Sequence, residues 1–147
     1  MKFREIKENK KQFLSLLLLA DEQENMIDRY LEKGTMYVLD DNGVKAECVV
    51  TDEGDGILEI KNIATVPEYQ GKGYAKALID FLVNEYAYKY SVLQVGTGDS
   101  PLTVPFYGKC GFVRSHIIPN FFTNNYDHPI FECGVKLTDM VIFQRNL

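Results

Sequence analysis

What this chain lacks narrows its chemistry. It has no CxxC pair: Cys48, Cys110 and Cys133 stand far apart, and any disulfide scheme leaves one thiol over. A reducing, cytoplasmic setting is expected. Its two histidines, His116 and His128, have no partner at ligand spacing, so no metal site is expected. Basic residues are the minority, 16 against 21 acidic, and a net charge of −5 argues against a dedicated nucleic-acid binder, which needs a basic surface to neutralise phosphates. The same charge suits a cationic or amine-bearing substrate, though it serves solubility equally well. No apolar run approaches the ~20 residues that span a bilayer. FLSLLLLA at 13–20 follows Lys2, Arg4, Lys10 and Lys11 in the manner of a signal peptide. It runs straight into Asp21-Glu22-Gln23-Glu24 without a small-residue cleavage pattern, so a buried helix is expected instead. Neither a GxGxxG dinucleotide loop nor a GxxxxGK[ST] P-loop is present.

What is there fits one domain, 1–147. Hydrophobic residues make up 46% and charged residues 25%, the balance of an ordinary globular chain. Such a length buries roughly 70% of the surface exposed by the unfolded form. Met1 to Ile6 reads as a strand. Phe13, Leu16, Leu17 and Ala20 then fall at helical spacing and predict one helix over 8–20, with a second from Asp21 or Glu22 to Lys33, ended by Gly34. Alternation takes over in TMYVLD and VKAECVVT, which flank Asn42-Gly43, a dipeptide suited to the positive φ angles of a tight turn. A third strand is predicted over Ile57–Val66. Beyond Gln70 the period is helical again, with Ala75, Leu78, Ile79, Leu82 and Tyr86 on one face. The next strand, Ser91–Val95, follows that helix directly, which implies a right-handed parallel crossover. A short helix over 101–109 interrupted at Pro105, a strand over 112–118, a long loop over 119–138 and a closing strand over 138–145 complete the prediction. The fold class is therefore α/β, a mixed, twisted sheet of six or seven strands with about four helices.

The stretch from Leu58 to Tyr86 carries the chemistry. A strand enters a helix through Gln70-Gly71-Lys72-Gly73-Tyr74-Ala75, and two glycines let main-chain N–H groups approach an anion at the positive end of the helix. A tight strand-to-helix turn needs glycine as well, so the loop by itself leaves both readings open. A second motif lies downstream: Pro105-Phe106-Tyr107-Gly108-Lys109-Cys110-Gly111-Phe112.

Together these resemble the GNAT superfamily of acetyl-CoA-dependent N-acetyltransferases. Gln70, Gly73 and Ala75 match its Q/R-x-x-G-x-G/A signature, 105–112 is similar to its FYxKxGF segment, and the order of elements agrees over nearly the whole chain. The resemblance implies a single-domain GNAT-like fold, a mostly antiparallel sheet with a central splayed parallel strand pair. It implies acetyl-CoA as co-substrate, with Ile63, Ala64, Thr65 and Val66 offering strand-edge groups to the pantetheine arm. Gly71, Lys72, Gly73, Tyr74, Ala75 and Lys76, next to Gln70, would hold the pyrophosphate. Tyr107 stands where such enzymes carry a proton donor for the departing thiolate, although a core aromatic is the alternative. Glu59, eleven residues before Gln70, stands where the histone-acetyltransferase branch places its base. A surface pair with Lys61, or ordered water as the base, is the competing reading; Asp99, His116 and Asp127 are weaker candidates. Ser100, seven residues before Tyr107, falls where relatives contact CoA with an asparagine, and it equally suits a helix cap.

The function so implied is transfer of the acetyl group of acetyl-CoA to a primary amine of a small molecule, protein or peptide by direct attack. Another acyl-CoA, or a non-catalytic acyl-CoA sensor or interaction module, are the alternatives. Direct transfer needs no acyl-enzyme, which leaves Cys110 as a packed residue. Phe121, Phe122, Tyr126 and Phe131 would line an acceptor pocket or a subunit interface. The partners are acetyl-CoA and an amine, with a homodimer compatible and neither nucleic acid nor membrane expected.

Overall fold

The computed structural model describes residues 1–147. Strand β1 (Lys2–Ile6) is followed by a 3-10 turn (Lys10–Phe13), α1 (Leu14–Ala20) and α2 (Glu24–Ile27). The hairpin β2 (Thr35–Asp40) and β3 (Val44–Asp52) leads into β4 (Ile57–Thr65). A 3-10 turn (Pro67–Tyr69) precedes α3 (Tyr74–Tyr86), then β5 (Val92–Gly98), α4 (Thr103–Lys109) and β6 (Val113–Ile118). Helix α5 (Phe121–Asn125), the small hairpin β7 (Phe131–Glu132) and β8 (Val135–Lys136), and β9 (Met140–Asn146) close the chain.

Seven strands form one sheet in the order β1-β2-β3-β4-β5-β9-β6, and only β4 and β5 run parallel. No helix is long and apolar enough to cross a membrane. The main core lies where α3 and α4 cover one face: Leu78, Ile79 and Leu82 of α3 meet Cys48 and Val50 of β3, Leu58 and Ile60 of β4, and Leu93 and Val95 of β5. The other face is covered by α1 and the segment after α2, where Leu17, Ile27 and Leu31 pack on Met36, Val38 and Val49.

Several predicted elements change at this level. The helix expected over 8–20 is a 3-10 turn and a seven-residue helix, because Phe13 at φ −103°, ψ 22° leaves helical geometry between them. The second helix keeps four residues; after Ile27 the bonds alternate between i→i−3, Arg29 to Met26 and Tyr30 to Ile27, and i→i−4, Leu31 to Ile27 and Gly34 to Tyr30, so no regular helix continues. Pro105 does not interrupt α4. It falls in the first turn, where its missing N–H has no intrahelical partner to lose. Strand β5 runs three residues beyond the expected Val95, since Gly96, Thr97 and Gly98 pair with Ile142, Val141 and Met140. Side chains at Gly96 or Gly98 would collide with Met140 and Leu137, whose sulfur and Cδ1 lie 2.4 and 2.5 Å from where a Cβ would stand. The long loop carries α5, β7 and β8 and has its own small core of Phe122, Ile130 and Leu137.

Candidate active site

The sheet opens in its middle. Strands β4 and β5 are paired from Ile57–Val92 to Ile60–Val95 and no further. Beyond that point β4 stays bonded to β3 as far as Thr65, while β5 stays bonded to β9 as far as Gly98. Each strand follows its outer neighbour, and the backbone edge of β4 from 61 to 65 faces a gap. At its start sits a bulge: Val49 pairs with Asn62 and Val50 with Ile60, which leaves Lys61 unpaired. The bulge overturns the expected alternation. Glu59 and Lys61 share a side, but Ile63 turns to the main core with Leu58 and Ile60.

Past the strand end, Val66 N–H donates to the Lys45 carbonyl (2.8 Å), and Gln70 Nε2 donates to the Thr65 carbonyl (3.3 Å). The Val66 amide and the Thr65 carbonyl are thus already engaged, and strand alternation leaves the backbone groups of Ile63 and the Thr65 amide directed at the gap. Gln70 earns its place in the motif by bracing the loop against the strand.

The loop presents a run of free donors. The amides of Gly71, Lys72 and Gly73 bond to nothing in the protein, and those of Tyr74, Ala75 and Lys76 precede the first intrahelical bond, Ala77 N–H to the Gly73 carbonyl (3.0 Å). Gly71 and Gly73 adopt φ of +78° and +88°, with no atom within 4 Å of where a Cβ would stand. Open space therefore flanks the two glycines, and the six amides stand at the positive end of a 13-residue helix, an arrangement that fits a pyrophosphate. Lys45 Nζ lies 4.0 Å and Lys72 Nζ 5.4 Å from the centre of the Tyr69 ring, which adds positive charge beside the loop. The Lys76 ammonium is held by Asp80 (2.9 Å) one turn on, and the Tyr74 hydroxyl by Asp41 (2.7 Å), so these two contribute amides rather than side chains.

Tyr107 approaches from the other wall. Thr103 Oγ1 donates to the Gly98 carbonyl (3.2 Å), which hangs α4 from the end of β5. One turn on, the Tyr107 ring packs on Phe143 at 6.1 Å, and Phe143 pairs with Val95, the last residue of β5 bonded to β4. Tyr107 is 6% exposed, yet its hydroxyl makes no hydrogen bond to the protein and is not among the sealed, unpartnered atoms. Burial pushes its phenol above the ordinary value, so it stays protonated at neutral pH.

This splayed pair, with six free amides below it, has known counterparts. The acetyltransferase (GNAT) domain family matches residues 32–114. The chain belongs to the GNAT family. It is 34% identical over 137 residues to an uncharacterized N-acetyltransferase of Bacillus subtilis, covering 91% of this chain and 88% of that protein. A GNAT acetyltransferase of Elizabethkingia anophelis, solved with acetyl-CoA bound, superposes with a TM-score of 0.93 at 32% identity, over 99% of this chain and 97% of that one. An IAA acetyltransferase of Bacillus cereus does so with a TM-score of 0.91 at 35% identity, over 99% of both chains. The present chain is accordingly a GNAT acyltransferase that depends on acetyl-CoA, and its mixed α/β sheet is the GNAT fold.

Other sequence candidates are bound to their neighbours. In this GNAT chain Glu59 is 9% exposed; Lys61 forms an ion pair with one carboxylate oxygen and Gln94 donates to the other. Gln144 donates in turn to Gln94 (2.7 Å), completing a polar ladder over three strands. Ser100 is buried, donates to Glu132 Oε1 (2.9 Å) and accepts from Leu102 N–H (3.3 Å), a bond in the turn ahead of α4, whose N-cap is Leu102 and carries no side-chain cap. Asp99, the residue after β5, lies opposite Arg114 of β6 at 3.7 Å, and His116 is exposed on β6, two strands from β4 and beyond β9. Cys110 is buried, and no cluster of three metal-ligating side chains exists. Phe122 stacks on Tyr126 and Phe121 meets both edge-on, while Phe131 stays 59% exposed.

Sequence reasoning missed the contacts between α1–α2 and the long loop. Tyr126 donates to Asp21 (2.6 Å), Asp127 N–H to Gln23 (3.0 Å) and Arg29 to Asn125 (3.0 Å), and His128 bridges Glu22 and Asp127. Asp21 also accepts from Tyr30 (2.8 Å), and burial raises its carboxyl despite both phenols. The signal available was the acidic run 21–24, separated by about a hundred residues from its partners.

Proposed function

We propose that this GNAT chain moves the acetyl group of acetyl-CoA to a primary amine by direct attack, without an acyl-enzyme. The observation that supports it most is the gap between β4 and β5 leading to the free amides of Gly71 to Lys76. Ile63 and Thr65 would pair with the amides of the extended arm, with Ala64 and Val66 fixing the strand behind them. Gln70 positions the loop, while Gly71, Lys72, Gly73, Tyr74, Ala75 and Lys76 would receive the phosphates, and Ser100 shapes the approach to α4. Acetyl-CoA supplies the electrophilic thioester carbon. The amine nitrogen forms its bond to that carbon as the carbon–sulfur bond breaks; the sulfur leaves as a thiol with a proton from Tyr107, and the acylated nitrogen gives up its second proton through solvent, which restores the phenol. The amine must shed a proton before it attacks, and Glu59 is proposed to take it through water, which requires its pair with Lys61 to open.

Calorimetry with acetyl-CoA, followed by thiol release with a panel of primary amines, tests this reading. Binding together with amine-dependent release of CoA is expected. Absence of binding, or binding without turnover on any amine, sinks it.

A further inference from the structure

The long loop grows from one half of the split sheet and is fastened to the other. It leaves β6 and returns through β9, both on the β5 side of the gap, whereas α1 and the segment after α2 pack on β2, β3 and β4. Bonds between the two therefore cross the gap, on the face away from α3 and α4. One of them continues inward. Tyr126 donates to Asp21 Oδ1 (2.6 Å), Tyr30 donates to Asp21 Oδ2 (2.8 Å), and Asn62 Nδ2 donates to the Tyr30 hydroxyl (3.1 Å) and to the Leu17 carbonyl (3.0 Å). Burial, then Asp21, holds the Tyr30 phenol above its ordinary value, so it stays a donor. Asn62 is the first residue past the bulge, at the point where β4 parts from β5. A continuous chain of hydrogen bonds thus runs from the long loop to the start of the gap.

The inner end of this chain has an acceptor to spare. Oδ1 of Asn62 and both carboxyl oxygens of Glu47 are sealed from solvent without a partner. Glu47 pairs with Ala64 and Asn62 with Val49, so the two side chains are diagonal neighbours on adjoining strands, a separation that groups of this length can bridge. No cation faces Glu47. Helix α1 carries no titratable residue, β2 presents Val38, β4 presents Ala64 and Asn62, and the segment after α2 presents Tyr30. Lys10 gives its ammonium to the carbonyls of Leu31 (2.9 Å) and Gly34 (2.8 Å), and Lys61 is paired with Glu59. Burial pushes the Glu47 carboxyl well above its ordinary range, and with no partner to hold a charge it is neutral. A neutral carboxyl brings one O–H donor, and Asn62 Oδ1 is the unfilled acceptor beside it.

We propose that Glu47, Asn62, Tyr30, Asp21 and Tyr126 form one brace, anchored by the Glu47 O–H on Asn62 Oδ1, which holds the two halves of the sheet across the gap and positions the acceptor amine. The part played toward the amine rests on the acyl-transfer reading above. Leu58 and Ile60 face the main core, so Glu59 between them looks to the side of the sheet where the brace lies. Tyr107 arrives from the opposite side, on α4. With acetyl-CoA laid in the gap and α3 and α4 covering its far face, the amine enters from the Glu59 side, between α1 and the long loop. The brace sets that spacing. The phosphate loop is held separately, by Gln70 on Thr65 and by Val66 on Lys45, so the five residues are positioning residues for the acceptor and not for the cofactor.

Glu47→Leu and Glu47→Gln, made in the full chain, separate the brace from simple packing. The leucine fills the space without a donor, while the glutamine keeps an N–H for Asn62. Carboxyl-carbon NMR of the parent should find Glu47 neutral at pH 7. Hydrogen exchange at the Asp127 amide, which donates to Gln23 across the gap, should quicken roughly threefold or more in Glu47→Leu and in Tyr126→Phe, and stay within about twofold of the parent in Glu47→Gln. KM for the fastest primary amine of the panel above should rise roughly fivefold or more in the first two variants and be restored in the third, with acetyl-CoA affinity changed less than twofold throughout. An ionised Glu47 at pH 7 overturns the brace, as does Asp127 exchange that Glu47→Leu leaves unchanged. An unmoved amine KM in Glu47→Leu overturns its positioning role. Failure of acetyl-CoA to bind the parent would instead remove the acyl-transfer reading, and the exchange measurement reads out either way.

Discussion

Tyr107→Phe separates catalysis from folding with unusual clarity. The substitution removes one oxygen and leaves the ring, whose neighbours Phe106, Phe112 and Phe143 lie at 5.1, 5.7 and 6.1 Å between centroids. A hydrogen-bonded hydroxyl contributes about 0.5–1.5 kcal/mol to stability. The Tyr107 hydroxyl has no protein partner, so its contribution to folding should be close to zero. A positioned proton donor, by contrast, supplies about 10²–10⁴-fold in rate. Urea unfolding should therefore give a midpoint within error of the parent, while thiol release under saturating acetyl-CoA and amine should fall by roughly 10²-fold or more. Burial raises the phenol above its ordinary value near 10, so the donor stays protonated from pH 6 to 9 and sets no basic limb there. The reasoning fails if the variant keeps its turnover, or if it loses more than about 1 kcal/mol of stability, which would mark a hydroxyl bonded within the fold.

Gly73→Ala should destabilise the fold by roughly 1–2 kcal/mol, because φ +88° is strained for any residue with a Cβ, and should weaken acetyl-CoA binding as the methyl enters the space before the amides. Gly108→Ala is the control: it lies within α4 with nothing near its would-be Cβ, and should stabilise by about 0.5–1 kcal/mol without touching cofactor affinity. The bridge from His128 to Glu22 and Asp127 should be pH-dependent. Hydrogen bonds to Asp127 and then Glu22 raise the histidine above 6.5, so the tie is complete below the unfolded value and is lost as pH rises through the folded one. Ring-proton titration should show the raised value, and Asp127→Asn should lower it; an ordinary histidine titration in the parent refutes the bridge.

Where local chemistry decides structure, it was legible in the residues. Asn42-Gly43 marks its hairpin, the spacing of Leu78, Ile79, Leu82 and Tyr86 marks α3, and the glycines of 70–75 mark the turn that leads into α3, since each depends on neighbours within a few positions. The bulge at Lys61 was not legible. It arises from the fit of β4 to β3, and one skipped residue sends Ile63 to the opposite face from the one that simple alternation assigns. Glu59 shows the same limit in part: its position on the strand and its pair with Lys61 could be read, but the bond from Gln94 comes from a neighbouring strand 35 residues away. Helix α2 failed because Met26, Ile27, Tyr30 and Leu31 satisfy a turn as readily as a helix when the surface they pack on is a sheet. Glu47 lay hidden because a glutamate between Ala46 and Cys48 reads as the solvent face of a hairpin, and only the arrival of α1 seals it.

The gap between β4 and β5 places strand edges at the centre of the sheet instead of at its rim. Exposed edges elsewhere invite pairing with foreign chains, but here the flanking strands and helices restrict what can enter to something narrow and extended. An amide-bearing ligand laid along 61–65 would act as an inserted strand and finish a sheet that the polypeptide leaves incomplete. Stability then becomes a reading of occupancy. At a ligand concentration 100 times its Kd the folded state gains about 2.7 kcal/mol. Melting temperature should thus follow the acetyl-CoA level, and a cell rich in the cofactor would hold a sturdier protein than one depleted of it.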